Sequence, residues 1–206
     1  MTIVPLSQPR RILTGVGEDG RSRIVEDGPS PAVSPLTPRS NFQSVNLWRT
    51  LGAYAWVDAA DTITEHSGVL PPPGGTVIRV IDIPPEPADP EEHRRQTEAT
   101  FKLLYPDADH TPTSTRHPGM HTTDTIDYAI LLQGELIAVM EDGETTMRAG
   151  DILIQRGTAH AWANRSGEMA RICFVLTDAQ AAPAVKLQRL QDGPVSQARI
   201  TNRWRS

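Results

Sequence analysis

Between residues 119 and 178 the sequence alternates short β-rich runs with tight turns built on Gly and Asp. Strands are predicted near 121–132, 135–140, 144–148, 152–155, 159–164 and 170–177. The turns between them are Gln133-Gly134, Glu141-Asp142-Gly143, Ala149-Gly150-Asp151, Arg156-Gly157 and Arg165-Ser166-Gly167. Many short strands with Gly/Asp turns at such close spacing predict a sandwich or barrel. No internal repeat is visible.

The chain before this region is looser. RRILTGV and RSRIVEDG flank Gly17-Glu18-Asp19-Gly20 and predict a hairpin over 10–27. Residues 28–41 (GPSPAVSPLTPRSN) carry four prolines and three serines, which reads as a linker or an extended arm. Strands are predicted at VNLWRT (45–50), AYAWV (53–57) and, after the break PPPGG, at TVIRVIDI (76–83). One helix is predicted over 90–104. Asp89 serves as its N-cap, Pro90 takes the first helical position and Glu91-Glu92 sit at the positive end of the dipole. The expected organisation is an N-terminal hairpin and Pro-rich arm (1–60), a barrel (61–180) and a basic tail (181–206).

Composition limits the function classes. Hydrophobic residues at 38% suffice for one core. A single cysteine, Cys173, excludes an intrachain disulfide framework. Lysine occurs only at 102 and 186, so amine-based covalent catalysis has two candidates. A net charge of −5 argues against a nucleic-acid partner. No apolar run approaches the ~18 residues of a membrane span, and the opening MTIVPLSQPRRIL lacks an apolar signal core. A cytoplasmic chain is expected.

The segment His121-Thr122-Thr123-Asp124-Thr125-Ile126-Asp127-Tyr128 is polar where a strand should be apolar. Side chains alternate across a strand, so His121, Thr123, Thr125 and Asp127 share one face. Four polar groups facing a barrel interior are costly unless they meet a ligand, water or a metal. His160 lies in a later strand and would meet His121 and Asp127 if the strands close into a small barrel. Two imidazoles and one carboxylate form the ligand set of non-haem Fe(II) oxygenases, and the set also suits Mn(II), Zn(II) or Ni(II). A metal-free hydrogen-bonded cluster that binds substrate, or a relic site, fits the same residues.

These residues resemble the motifs of the cupin superfamily. The first is G-x5-H-x-H-x3-4-E-x6-G: counting back from Gly134, Asp127 takes the glutamate position and His121 the first histidine. Thr123 stands at the second histidine and Thr115 at the leading glycine. The second is G-x5-P-x-G-x2-H-x3-N: Gly150, Gly157, His160 and Asn164 fit it, one residue short, with Gln155 in place of the proline. The resemblance covers about 119–178. It implies an all-β fold, the double-stranded β-helix or jelly-roll barrel, with extra N-terminal strands and one short helix, and a type-2 cupin with its motif core at 115–178.

The resemblance also implies a site and a chemistry. His121, Asp127 and His160 would ligate one divalent metal ion, with Thr123, Thr125, Trp162 and Arg156 lining a substrate pocket. Tyr128 and His117 are the candidates for moving protons. His66, His93 and His110 lack ligand spacing and read as surface. The expected activity is oxidative, dioxygenase-like or decarboxylative chemistry on an aromatic or organic acid. The alternatives are a non-catalytic small-molecule binder or a non-redox isomerase or lyase. A homodimer formed through the arm or a barrel face is expected, because 1–40 holds too little apolar content for its own core.

Overall fold

A computed structural model describes residues 3–180, so the expected tail at 181–206 lies outside the described residues. Thirteen strands are present: β1 (Arg10–Val16), β2 (Ser22–Pro29), β3 (Ala32–Val33), β4 (Gln43–Thr50), β5 (Thr76–Ile83), β6 (Asp109–His110), β7 (His121–Thr122), β8 (Thr125–Gln133), β9 (Glu135–Met140), β10 (Glu144–Arg148), β11 (Ile152–Arg156), β12 (His160–Ala163) and β13 (Ala170–Asp178). One α-helix, α1 (Pro90–Leu104), and a short 3-10 turn at Ile63–Glu65 complete the elements. No helix among the described residues is long and apolar enough to cross a membrane.

Two sheets face each other. One runs β10-β9-β12-β7-β6 and the other β11-β8-β13-β5-β4-β3, with every pairing antiparallel. The core lies between them, where Val77, Ile81 and Ile172 of the six-stranded sheet meet Leu136, Ala138 and Met147 of the other. Burying these side chains is the main favourable term in closing the sandwich. This is the jelly-roll arrangement expected from the strand spacing.

Where the chain changes sheet matters most for the site. The strand expected over 121–132 breaks at Thr123-Asp124: β7 pairs into the five-stranded sheet and β8 into the six-stranded one. The polar face therefore turns a corner of the barrel and presents residues from both sheets to one interior. Burial follows the expected alternation. Thr123, Thr125 and Asp127 are buried, while Asp124, Ile126 and Tyr128 are exposed.

The N-terminal stretch contributes to the barrel wall. β1 and β2 form a separate two-stranded hairpin. The Pro-rich segment yields β3, which pairs with β4, and β4 pairs with β5 along the edge of the six-stranded sheet. The strand expected at 53–57 does not form; Tyr54 and Trp56 project into solvent. Gly75 packs so close to the Thr50 carbonyl that a Cβ there would collide with it.

The helix forms at its expected limits. The Asp89 side chain accepts from the Glu91 N–H (3.0 Å), and Pro90 opens the first turn. Its buried residues are His93, Thr97, Thr100 and Leu104. Their 4-3-4 spacing marks one face, and three of the four are polar. A helix that buries threonines and a histidine covers a polar interior.

Candidate metal centre

Beneath that helical face the barrel encloses a cavity of about 100 Å³. His121, Thr123, Asp127, His160 and Trp162 all line it, as expected from the sequence; Thr97, Thr100 and Phe101 of α1 close one side. The structure thus brings the three expected ligands to one cavity.

His121 and His160 are partners in the β7–β12 pairing, with ring centroids 4.3 Å apart. The Gly119 carbonyl lies 2.9 Å from His121 Nδ1; a carbonyl only accepts, so Nδ1 carries the proton and Nε2 keeps its lone pair. His160 Nδ1 lies 2.9 Å from the Thr158 carbonyl and 2.8 Å from the Gln155 amide nitrogen, contacts that ask opposite roles of that nitrogen. Neither Nε2 makes a hydrogen bond to a described residue, and on His121 the free lone pair readies the imidazole for a cation. Burial pushes His121 down to about 3, helped by the neighbouring His160, and pushes His160 down to about 4. Both rings are neutral near pH 7.

Asp127, across the corner on β8, is 3% exposed and its Oδ1 has no hydrogen-bond partner. Burial raises its carboxyl to about 6, against the lowering effects of Thr125 and the Arg79 guanidinium. Asp127 and the two imidazoles line one cavity, and two imidazoles with a carboxylate are a set that suits a divalent cation, but their ligand atoms do not all lie within 4.8 Å of one another. Thr123 and Thr125 share a hydrogen bond between their hydroxyls (2.8 Å). Thr123 lines the cavity; Thr125 does not.

Gln155 carries a role the sequence reading missed. It is 2% exposed, and its Nε2 donates to the Thr158 carbonyl (2.6 Å) and contacts the Thr158 hydroxyl (2.7 Å). At the position where the motif has proline, a side-chain amide braces the turn that carries His160. The signal was the departure from the motif itself.

Other residues move from their expected places. Tyr128 is 46% exposed on the outer face of β8, opposite Ile154, and does not line the cavity. Its place in the strand alternation, one residue after inward-facing Asp127, sends it outward. Arg156 is exposed and likewise absent from the cavity wall. His93 and His110 are not surface groups. His93 is 7% exposed on the buried face of α1, and His110 stacks on Phe101 with centroids 4.0 Å apart. His66 is half-buried against Arg79.

His117 lines the cavity, 6% exposed, and belongs to a second cluster. Among the described residues, Glu86, His93 and His117 are the group whose ligand atoms all lie within 4.8 Å of one another, a spacing that could hold a metal ion. The buried His93 Nε2 has no hydrogen-bond partner, while the other two members are hydrogen-bonded to each other. The Gly119 N–H donates to His117 Nδ1 (2.9 Å), so Nε2 carries the proton and donates to Glu86 Oε1 (3.0 Å). Both nitrogens of His117 are used, and Glu86 Oε1 also accepts from the Asn164 N–H (3.1 Å). Burial works to raise the Glu86 carboxyl, but the His117 hydrogen bond and the charges of His117, His93 and Arg39 hold it below the usual carboxylate range. The cluster braces the helix and the 111–120 loop against the barrel end.

The two-sheet barrel, the motif residues converging inside it, and similarity to curated proteins point the same way. The chain is 34% identical over 76 residues to a cupin-domain-containing oxidoreductase, srdD, of Neurospora crassa, covering 35% of this chain and 39% of that protein. Its fold is the jelly-roll barrel of cupin-domain proteins. A longer match, 29% identical over 146 residues, is to the phomopsin biosynthesis cluster protein C′ of Diaporthe leptostromiformis, covering 62% of this chain and 60% of that protein. The chain thus spans about three-fifths of the length of that relative. Among solved structures, the cupin domain of Schizosaccharomyces pombe Cnp3 is similar over 84% of this chain and 89% of that one, with a TM-score of 0.40 and 10% identity. No protein-family model matches the chain.

Proposed function

We propose that this protein is a metal-dependent cupin enzyme acting oxidatively on a small organic acid, with one divalent cation held by His121, His160 and Asp127. The observation that carries this reading is the state of the three donors: two neutral imidazoles whose Nε2 atoms have no partner and a buried carboxylate oxygen with none, around one cavity. The donor set suits Fe(II), Mn(II), Zn(II) or Ni(II). The chemistry a bound divalent ion supplies is activation of dioxygen or polarisation of a substrate oxygen. Relatives named as oxidoreductases support the oxidative branch.

The residues of the chain supply orientation. Gln155 and Thr158 hold His160; Gly119 holds His121. Phe101 lies 4.9 Å from His121, and Trp162 meets His160 edge-on at 5.7 Å, so aromatic rings stand beside both imidazoles.

The test is metal analysis of protein purified without chelator, followed by oxygen uptake with Fe(II) and a panel of catechols, diketones and keto acids. About one equivalent of metal in the wild type, lost in His160→Ala, is expected. Equal and negligible metal in both proteins would overturn the reading.

We further propose that two copies pair. The hairpin leaves Ile12, Val16, Ile24 and Val25 exposed, and the outer face of β8 and β11 leaves Tyr128, Ile152 and Ile154 exposed. Apolar surface on this scale favours a partner over solvent. Light scattering of the full chain is expected to give a dimer; a monomer unchanged by deletion of residues 1–40 would count against it.

A further inference from the structure

We infer that Arg39, delivered by the Pro-rich arm, is the carboxylate-binding group of the cavity and selects small monocarboxylates with an apolar body as ligands. The inference rests on the reading of this cavity as the substrate site and names the ligand class.

The buried arginines of the chain fall into two kinds. Arg11, 4% exposed, pairs with Glu26 and Asp61, and Arg171 pairs with Asp82. Arg39 and Arg79, 8% and 2% exposed, form no salt bridge among the described residues, and both line the cavity. Arg79 is held by three neutral acceptors on Nε and Nη2: Asn46 Oδ1 (2.7 Å), the Gly68 carbonyl (2.7 Å) and His66 Nε2 (3.2 Å). Arg39 has one. Its Nη2 donates to the Pro84 carbonyl (2.8 Å), its Nε has no partner, and its guanidinium lies 5.8 Å over Phe42.

A buried cation without a carboxylate partner is costly, and proteins keep one where a ligand completes it. Glu86 acts on Arg39 through space but makes no ion pair with it: Oε1 accepts from His117 and Asn164, and Oε2 lies 4.0 Å from Arg165. The cavity wall therefore carries two guanidiniums against the single carboxylate of Asp127. A bound divalent metal would make the excess positive charge larger. Between the charges the walls are apolar, from Phe42, Phe101, Trp162, Phe174 and Leu176. An anion with a compact apolar body matches both features, and a planar guanidinium matches a carboxylate.

The experiment uses chelator-treated full-length protein, so its result does not depend on whether a metal binds. Acetate, butyrate and benzoate are titrated calorimetrically, each against its neutral amide. At least one acid is expected to bind about ten- to a hundredfold more tightly than its amide, the range of a charge-assisted hydrogen bond. Arg39→Gln is expected to abolish that preference while leaving ligand-free thermal stability unchanged or higher, since it removes an unpaired buried charge. Arg39→Lys keeps the charge and loses the planar fork, and should retain a reduced preference. Should Arg39→Gln fail to fold, Arg39→Lys decides. No acid outbinding its amide in the wild type overturns the inference, as does a preference that both folded variants leave unchanged. If the wild type binds no metal but Arg39 still selects acids, the metal assignment fails and this one stands.

Discussion

His121 and His160 face each other across adjacent antiparallel strands, each with its Nδ1 2.9 Å from a carbonyl two residues away in its own segment, and His160 Nδ1 also 2.8 Å from the Gln155 amide nitrogen. The pairing register fixes the ring separation, and the local carbonyls fix the ring orientation. Two short-range hydrogen bonds thus pre-organise a long-range pair.

The brace behind His160 is therefore expected to matter for metal affinity. Gln155→Ala removes the amide that holds the Thr158 carbonyl. Chelator-competition titration with Zn(II) should show affinity reduced about ten- to a hundredfold, the range for losing an outer partner of a ligating histidine. An affinity equal to the wild type would show that the Thr158 turn holds itself.

Asn164 is fully buried and its side chain makes four hydrogen bonds. Its Nδ2 donates to the carbonyls of Ile83 and Glu168 (2.8 Å each), and its Oδ1 accepts from the Ser166 N–H (3.1 Å) and hydroxyl (2.8 Å). The motif's asparagine is thus a structural clamp between β5 and the β12–β13 turn. Asn164→Ala leaves several buried groups without partners and is expected to cost roughly 3 kcal/mol in chemical denaturation. A loss well under ~1 kcal/mol would contradict that assignment.

His66 gives a pH signature away from the donors. Burial, then the charges of Arg79 and Arg49, push it down from 6.5 to about 4, with Asp107 opposing. The Arg79 guanidinium donates to its Nε2 (3.2 Å), a bond that protonation destroys. The unfolded chain takes up this proton near pH 6.5 and the folded chain only near 4. The contribution is fully present above 6.5 and is lost as pH falls towards 4. His66→Gln keeps an acceptor without the titration, so melting temperature in this variant should fall less steeply across that window. An identical slope would rule out His66 as a contributor.

Much of the barrel was legible because its signals are local. The turn at Gln133-Gly134 needs a residue with positive φ, and Gly134 sits at +78° where a Cβ would strike the Met169 carbonyl. The alternation over 121–128 correctly placed Asp127 inside. The same rule, applied one step further, places Tyr128 outside, where proximity to a presumed ligand had suggested a catalytic role. Arg39 and His93 were illegible for another reason. Each reaches the cavity by a tertiary route, one through an arm that reads as a linker and one on a helix face whose polarity looks like solvent exposure. Periodicity tells which residues share a face, not what that face meets.

The most direct test of the assigned centre is an anomalous-diffraction map of crystals grown with Mn(II). A peak is predicted within coordination distance of His121 Nε2 and His160 Nε2, with Asp127 as the third protein ligand, and its absence in His160→Ala crystals. Density only at Glu86, His93 and His117, or none in the barrel, would contradict the assignment.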